Sequence, residues 1–507
     1  MVSNRKKNFI ASILQSVENI GNRLPDPVTI FIVLCFTIVF LSAIASVMGV
    51  SVTHPATQET IEAISILTPD GIRRIVSKAV TNFVSFPPLG TVLVAVLGFG
   101  VAEYTGFIAA ILRQGVLIAP AQFITPVIVF IGVMSNLAAD AGFVILPPLA
   151  ALVFLSFGKH PLAGLAAAFA GVAGGFSANL LVNALDPLLA GMTQSGAQLI
   201  DPSYTVDATA NYYFMAVSAL LITVLGWWVT ESIIAPRLGS YQPSETVSFS
   251  REKLTAVEKR GLRWAGYSLA ALTGLLMALV LPPQGILRQP ETFTIIPSPF
   301  LSGIIFIITF VFLIMGIAYG LGAGTIKTDK DAIQGMTSAM SGMGYYIVLA
   351  FFMAQFVAYF SWSNLGIIVA ISGAELLQKT GLTGIPLLLG LIFFTGFINL
   401  FIGSASGKWA IMAPVFVPML MLLGYAPELT QLVYRIGDSS TNMITPLLPY
   451  FPIIVAYGQK YDKNLGLGTL IAIMLPYSLA FLLGWSILFI LWLFLGLPWG
   501  PAVSTYL

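Results

Sequence analysis

Charge is what this chain has least of. Only 9% of its 507 residues are Asp, Glu, Lys or Arg, against 57% hydrophobic, and the mean hydropathy is +0.92. A water-soluble domain is not built from so little charge, so the chain reads as a polytopic membrane protein. A net charge of +2, with no basic stripe carrying interleaved aromatics, gives nucleic acid nothing to bind. Histidine occurs only as His54 and His160, each beside a proline in a loop, and there is no His-Glu-x-x-His string. A nucleophile with its base, or a catalytic metal, therefore has no footing, and the chain is expected to be neither an enzyme nor a holder of cofactor or metal. Cys35 is the single cysteine, which excludes an internal disulfide. Mixed polar sequence separates Arg5, Lys6 and Lys7 from the first apolar run, and no small-residue cleavage site follows, so an uncleaved first span is expected.

What is abundant is apolar sequence in long runs. Runs able to cross a bilayer lie near 28–50, 86–112, 161–190, 211–235, 262–282, 299–320, 336–361, 428–458 and 466–495. The stretches 118–157 and 384–424 differ, since each has two short apolar arms around a middle rich in Gly, Ser, Asn or Asp. Such stretches suit re-entrant hairpins. Threading the chain with the amino terminus in the cytoplasm leaves 16 of the 23 basic residues inside, among them Arg113, Lys159, Arg237, Lys327 and Lys460. Arg73, Arg74 and Lys78 fall outside and are assigned to a helix lying on the membrane surface. The expectation is an all-α polytopic membrane protein with about nine transmembrane helices and two opposed hairpins. The divisions expected are an amino-terminal arm with the first span and outer loop over 1–83, a first repeat over 84–200, scaffold spans over 201–330 with a cytoplasmic linker at 236–262, a second repeat over 331–460, and a last span over 461–507 with a periplasmic carboxyl terminus.

The repeats are read from a doubled interruption. Asn183-Ala-Leu-Asp186-Pro187-Leu-Leu returns as Asn442-Met-Ile-Thr445-Pro446-Leu-Leu, and the Asn136 to Pro147 stretch returns as Asn399 to Pro414. Under the threading above the two copies run in opposite directions across the membrane. Paired, broken apolar segments in corresponding halves mark a secondary transporter, because unwound backbone at bilayer depth is tolerated only where it lines a site.

Each polar constellation has a functional and a bland reading. Asn399, Ser404 and Ser406 offer uncharged hydrogen bonds and Trp409 a flat face for a planar ligand; alternatively they form a small-residue packing patch with an interfacial Trp. Lys408, an ammonium in apolar surroundings, favours the functional reading. Arg435 and Asp438 share a helical face and either pair with one another or line a site, as anchor for a substrate carboxylate and as proton carrier. They run directly into Ser440, Thr441, Asn442 and Pro446, where helical hydrogen bonding should fail. Asp186 lacks a basic neighbour in sequence; it either caps a helix, finds a partner across the bundle, binds a cation or cycles a proton, with Ser177, Asn179 and Asn183 beside it. Asn136 and Asp140, at the first hairpin tip, are weaker candidates for substrate contact because Asp140 also suits a turn.

The chain resembles the AbgT family of p-aminobenzoyl-glutamate transporters over essentially its full length. The strings that carry the resemblance include Asn22-Arg-Leu-Pro25-Asp-Pro27, Ala138-Ala-Asp140 with Val144-Ile-Leu-Pro147-Pro148, Gly158-Lys-His160-Pro161, Trp362-Ser-Asn364 and Tyr434-Arg435-Ile-Gly-Asp438-Ser-Ser440. The resemblance implies a homodimer in the bacterial inner membrane, in which a scaffold surrounds a moving core. It implies substrate-site roles for Asp186, Asn399, Ser406, Trp409, Arg435, Asp438 and Pro446, and transport driven by the proton gradient. The cargo implied is an aromatic carboxylate such as p-aminobenzoyl-glutamate, a folate breakdown product, or an exported sulfonamide antimetabolite. The Ser-Ala-Asn and Ser-Thr-Asn strings are also similar to the sodium-site motif of divalent-anion symporters. A sodium-coupled dicarboxylate symporter, with Na+ near Asn179 and Asn442, is thus the alternative.

Overall fold

The computed structural model describes residues 25–53, 58–138, 141–241, 254–295 and 298–507. Arg5, Lys6, Lys7, Arg23, His54, Asp140, Arg251 and Lys253 lie outside these. The chain is mostly helical, and among the described residues seven helical stretches are long and apolar enough to cross a bilayer. The all-α expectation needs one amendment: Ser51–Thr53 (β1) and Thr60–Glu62 (β2) pair antiparallel after the first helix.

Helix α1 (Pro27–Val47) begins at Asp26, whose carboxylate accepts the Val28 N–H at 2.8 Å. After β2 comes α2 (Pro69–Val84), which carries Arg73, Arg74 and Lys78, has no buried residue, and leads through Ser85 and Phe86 into the next helix as part of one long helical stretch. Two further helices follow, α3 (Pro87–Tyr104) and α4 (Phe107–Leu117). The run at 86–112 is therefore not one span. The chain turns at Thr105–Gly106, where Gly106 takes φ +84°, a left-handed conformation that glycine adopts at least cost. The first hairpin is α5 (Ile124–Ser135) and α6 (Ala141–Ser156), with Asn136 at the end of the first arm. The first broken span is α7 (Pro161–Phe169), a π-turn over Ala170–Gly174, an irregular stretch, then α8 (Leu185–Ala197).

Between the two sets lie α9 (Tyr212–Val229), α10 (Ala256–Val280), α11 (Ile304–Ala323) and the exposed α12 (Asp329–Ser341). The run at 336–361 is also divided, between α12 and α13 (Gly344–Trp362), by Gly342 and Met343. From α13 the order of the first set recurs: α14 (Leu365–Lys379) after a turn at Asn364 with φ +59°, a hairpin of α15 (Gly384–Asn399) and α16 (Ala405–Met421), then α17 (Pro427–Thr441), a 3-10 turn at Asn442–Ile444, and α18 (Phe451–Gln459). Asn364 stands where Gly106 stands, which fits because asparagine tolerates the left-handed region better than other side chains. The last helix is α19 (Leu467–Phe494).

Packing interlocks the two sets. The arm α15 lies on α17, and α16 lies on α8 of the other set; likewise α6 packs on α7 and touches α18. Small residues permit the close approaches. A Cβ on Gly437 would stand 2.3 Å from the Ile392 carbonyl oxygen, and one on Gly171 2.4 Å from that of Val129. Every residue of α17 is buried.

Candidate functional site

Both broken spans fail as helices for local reasons. After the π-turn, the stretch through Ser177 and Asn179 leaves helical hydrogen bonding until Asn183 caps α8, its Oδ1 accepting the N–H groups of Leu185 at 3.0 Å and Asp186 at 3.2 Å. In the second span Thr445 is extended (φ −83°, ψ 120°), as a residue preceding proline should be, and Pro446 cannot donate. The freed groups are bonded across the core: Thr445 Oγ1 donates to Asn399 O at 2.8 Å, and Ser478 Oγ to Ser440 O at 2.8 Å.

Two ion pairs sit at these breaks. Arg435 Nη2 lies 2.6 Å from Asp186 Oδ1, and Lys408 Nζ lies 2.6 Å from Asp438 Oδ1. Arg435 and Asp438, one face of one helix, therefore do not pair with each other; each reaches a different element. Arg435 also donates to Ser177 O at 3.1 Å. Asp186 combines two of its open readings, since its Oδ2 accepts the Asn183 N–H at 2.8 Å, closing a capping box, while Oδ1 holds the guanidinium. These partners offset the cost of taking carboxylate and cation out of water, although the buried Arg435 Nε is left without one.

The other candidates fall around these pairs. Asn399 binds Lys408 through Oδ1, and its Nδ2 faces Asp438 O, Thr441 Oγ1 and Asn442 Oδ1 at 2.8, 2.9 and 2.8 Å. At the other tip Asn136 Nδ2 donates to Val133 O at 3.1 Å and Val172 O at 3.0 Å, while its buried Oδ1 has no partner. With its amide turned to suit its neighbours, Asn179 donates to the same Val133 carbonyl at 3.2 Å and accepts from Asn183 Nδ2 at 2.8 Å. Ser440 Oγ bonds back to Ile436 O at 2.7 Å, and Thr441 Oγ1 to Gly437 O at 2.9 Å. Ser404 is the N-cap of α16, accepting the Gly407 N–H at 3.2 Å, and it and Ser406 are half-buried, as is Pro446. Trp409 does not present a free face. Its ring is 0% exposed, stacks on Tyr434 with centroids 4.4 Å apart, and donates from Nε1 to Thr193 Oγ1 at 3.0 Å.

Sequence reasoning missed a polar seam. Glu428, Gln431, Arg435, Asp438 and Asn442 recur every three or four residues, so they form one stripe along α17 into the break. Gln431 accepts from Thr193 Oγ1 at 2.6 Å and donates to Asn211 Oδ1 at 2.8 Å; Glu428 accepts from the Tyr204 hydroxyl at 3.1 Å. The spacing is legible in the amino-acid order alone. The partners on α8 and on the 204–211 loop are not, because they lie more than 200 positions away along the chain.

A small polar pocket lined by Ser177, Asn179, Asp186 and Asn211 adjoins a cavity of about 870 Å³ between α4–α5 and α10–α11. Leu181, Val182 and Tyr212 line both, so these three side chains stand between the carboxylate of the first ion pair and the larger apolar cavity.

A family model described as "AbgT putative transporter family" matches residues 12–507. The chain is 38% identical over 487 residues to the p-aminobenzoyl-glutamate transport protein of Escherichia coli (strain K12), covering 96% of each. Among solved structures it superposes on the YdaH transporter of Alcanivorax borkumensis with a TM-score of 0.90 at 44% identity, covering 94% of this chain and 100% of that one. On MtrF of Neisseria gonorrhoeae, described with a class of antimetabolite efflux pumps, the TM-score is 0.91 at 46% identity, covering 97% and 100%. With broken helices joined by buried ion pairs, this multi-pass membrane protein belongs to the AbgT family of transporters, and it is not an enzyme.

Proposed function

We propose that the chain is a proton-driven secondary transporter of aromatic amides bearing carboxylates, of the p-aminobenzoyl-glutamate type, in the bacterial inner membrane. The observation that carries this reading is the Arg435–Asp186 pair, which joins the two broken spans and whose Asp186 lines a small pocket sharing Leu181, Val182 and Tyr212 with the larger cavity. A substrate carboxylate matches the guanidinium as well as Asp186 does. When it takes Arg435, Asp186 loses its partner in a low-dielectric site, and a proton neutralises it. Substrate capture and proton uptake become one event, and the apolar chamber receives the aromatic ring. The names of the Escherichia coli and Neisseria gonorrhoeae relatives support this cargo class, with sulfonamide antimetabolites as further candidates.

In this reading the hairpins α5–α6 and α15–α16, with the two broken spans, rock as a core within the divisions 84–200 and 331–460, against a scaffold formed by the remaining spans of a homodimer. The two sets are inverted, the amino terminus is cytoplasmic and the carboxyl terminus periplasmic, supported by 16 of 23 basic residues falling inside. The test is flux of labelled p-aminobenzoyl-glutamate in vesicles under an imposed proton gradient, with sodium or choline as the salt. Flux that follows the proton gradient in choline is expected. Flux that requires sodium would favour a sodium-coupled symporter, and flux indifferent to both gradients would refute coupling.

A further inference from the structure

Lys408 sits in the wrong place for a lysine that serves its own helix. It lies in the first turn of α16, where the helix dipole repels cations, and it is 0% exposed. What holds its ammonium is a cage of oxygens from elsewhere: Asp438 Oδ1 at 2.6 Å, Asn399 Oδ1, and the Ile402 carbonyl at 3.5 Å. Asn399 closes α15, and Ile402 follows it, so both sit at a helix carboxyl end, the end that attracts positive charge. The Asn399 amide nitrogen is engaged by Asp438 O, Thr441 Oγ1 and Asn442 Oδ1, which fixes its oxygen toward the ammonium. A carboxylate, an amide oxygen and a peptide carbonyl are the ligand types that hard cations take.

The first hairpin supplies the contrast. Nine positions after Asn399 stands Lys408; nine positions after Asn136 stands Ile145. There the tip asparagine's buried oxygen has no partner. The ammonium is thus an addition peculiar to the second half.

We infer that Lys408 is a tethered cation: its ammonium fills a monovalent-cation site made by Asp438, Asn399 and the Ile402 carbonyl, so the second half needs no dissociable ion. Removing the ammonium hands the site to sodium. The consequence for coupling rests on the transporter reading above, but the site itself does not, and its test reads stability rather than flux. Either can fail while the other stands.

The experiment compares melting of the purified full-length chain in sodium chloride, methylammonium chloride and choline chloride at equal ionic strength. Lys408→Ala is expected to melt several degrees higher in sodium and in methylammonium than in choline, with a saturable dependence on concentration. The wild type is expected to show a smaller difference or none, and Lys408→Ala combined with Asp438→Asn is expected to lose it. Equal melting of Lys408→Ala in all three salts overturns the inference. Lys408→Met, whose side chain plugs the space, separates the loss of the ion pair from the loss of the site: it should fold and melt below wild type, because Asp438 loses its partner, but alike in all three salts. If Lys408→Met folds while Lys408→Ala does not, or if neither folds in sodium, sodium has failed to replace the ammonium and the inference is wrong.

Discussion

The Arg435–Asp186 pair makes a prediction whose sign is opposite for single and double substitutions. The guanidinium is held by Asp186 at 2.6 Å and Ser177 O at 3.1 Å, its Nε has no partner, and the two side chains are 1% and 9% exposed. Asp186→Leu leaves a cation in the core with one carbonyl, which costs about 3–5 kcal/mol, and it removes the acceptor for the Asn183 N–H, worth about 1 kcal/mol more. Arg435→Met strands the carboxylate instead, at a cost of roughly the same size unless Asp186 takes a proton. Joining the two substitutions removes both charges and fills similar volume, so the double variant is expected to lie within about 1–2 kcal/mol of wild type. Unfolding of a chain this size is irreversible, so the measurement is the ranking of melting midpoints at one heating rate, completed as a double-mutant cycle. Both singles should melt well below wild type and the double close to it. Additive losses, with the double lowest, would refute the pairing. Flux should be absent in the two variants that lack Arg435, because the substrate's carboxylate would have no guanidinium to meet, whereas Asp186→Leu keeps the guanidinium and should lose the response of flux to the proton gradient.

Gly437→Val places a side chain where a Cβ already stands 2.3 Å from the Ile392 carbonyl, and backbone cannot yield as a flexible side chain can. A loss of about 1–3 kcal/mol or more is expected, read as a lowered melting midpoint, whereas Gly390→Val, whose Cβ meets nothing, should leave the midpoint near wild type. Trp409→Phe loses the bond to Thr193 while keeping the ring stack on Tyr434, so about 1 kcal/mol of stability should go with little change in substrate affinity. A tenfold loss of affinity at unchanged melting would show that the ring meets substrate. His160 caps α7 through Nδ1, which accepts the Leu162 N–H at 3.2 Å; burial lowers its pKa below the ordinary 6.5, opposed by the charge of Asp462. The folded chain thus holds that proton less tightly than the unfolded one, so this contribution is complete above pH 6.5 and fades as pH falls through the lowered value. Melting should drop between pH 7 and 5, and His160→Asn, which keeps a cap, should flatten the drop; an unchanged slope would sink the argument.

The sequence by itself determined the class and the places of interruption. Apolar runs with scarce charge leave only membrane-spanning helices, and prolines, glycines and asparagines at bilayer depth mark where helical hydrogen bonding stops. That is why the two hairpins and the breaks near Asn183 and Asn442 were legible, and why the stripe from Glu428 to Asn442 was legible in its spacing though not in its role. The turns at Gly106 and Asn364 were hidden inside apolar runs, because a left-handed residue in lipid-grade sequence looks like any other small or polar one. Tertiary structure alone decided who partners whom. Sequence spacing offered Arg435 to Asp438, yet each found its counter-charge on another element, Asp186 and Lys408, because a buried charge is satisfied by whichever oxygen or cation the packing brings within about 3 Å, and packing of α17 against α8 and α16 is set by facing glycines and side-chain volumes that a linear chain does not display. The same packing buries Trp409 against Tyr434 and pairs Lys408 with Asp438.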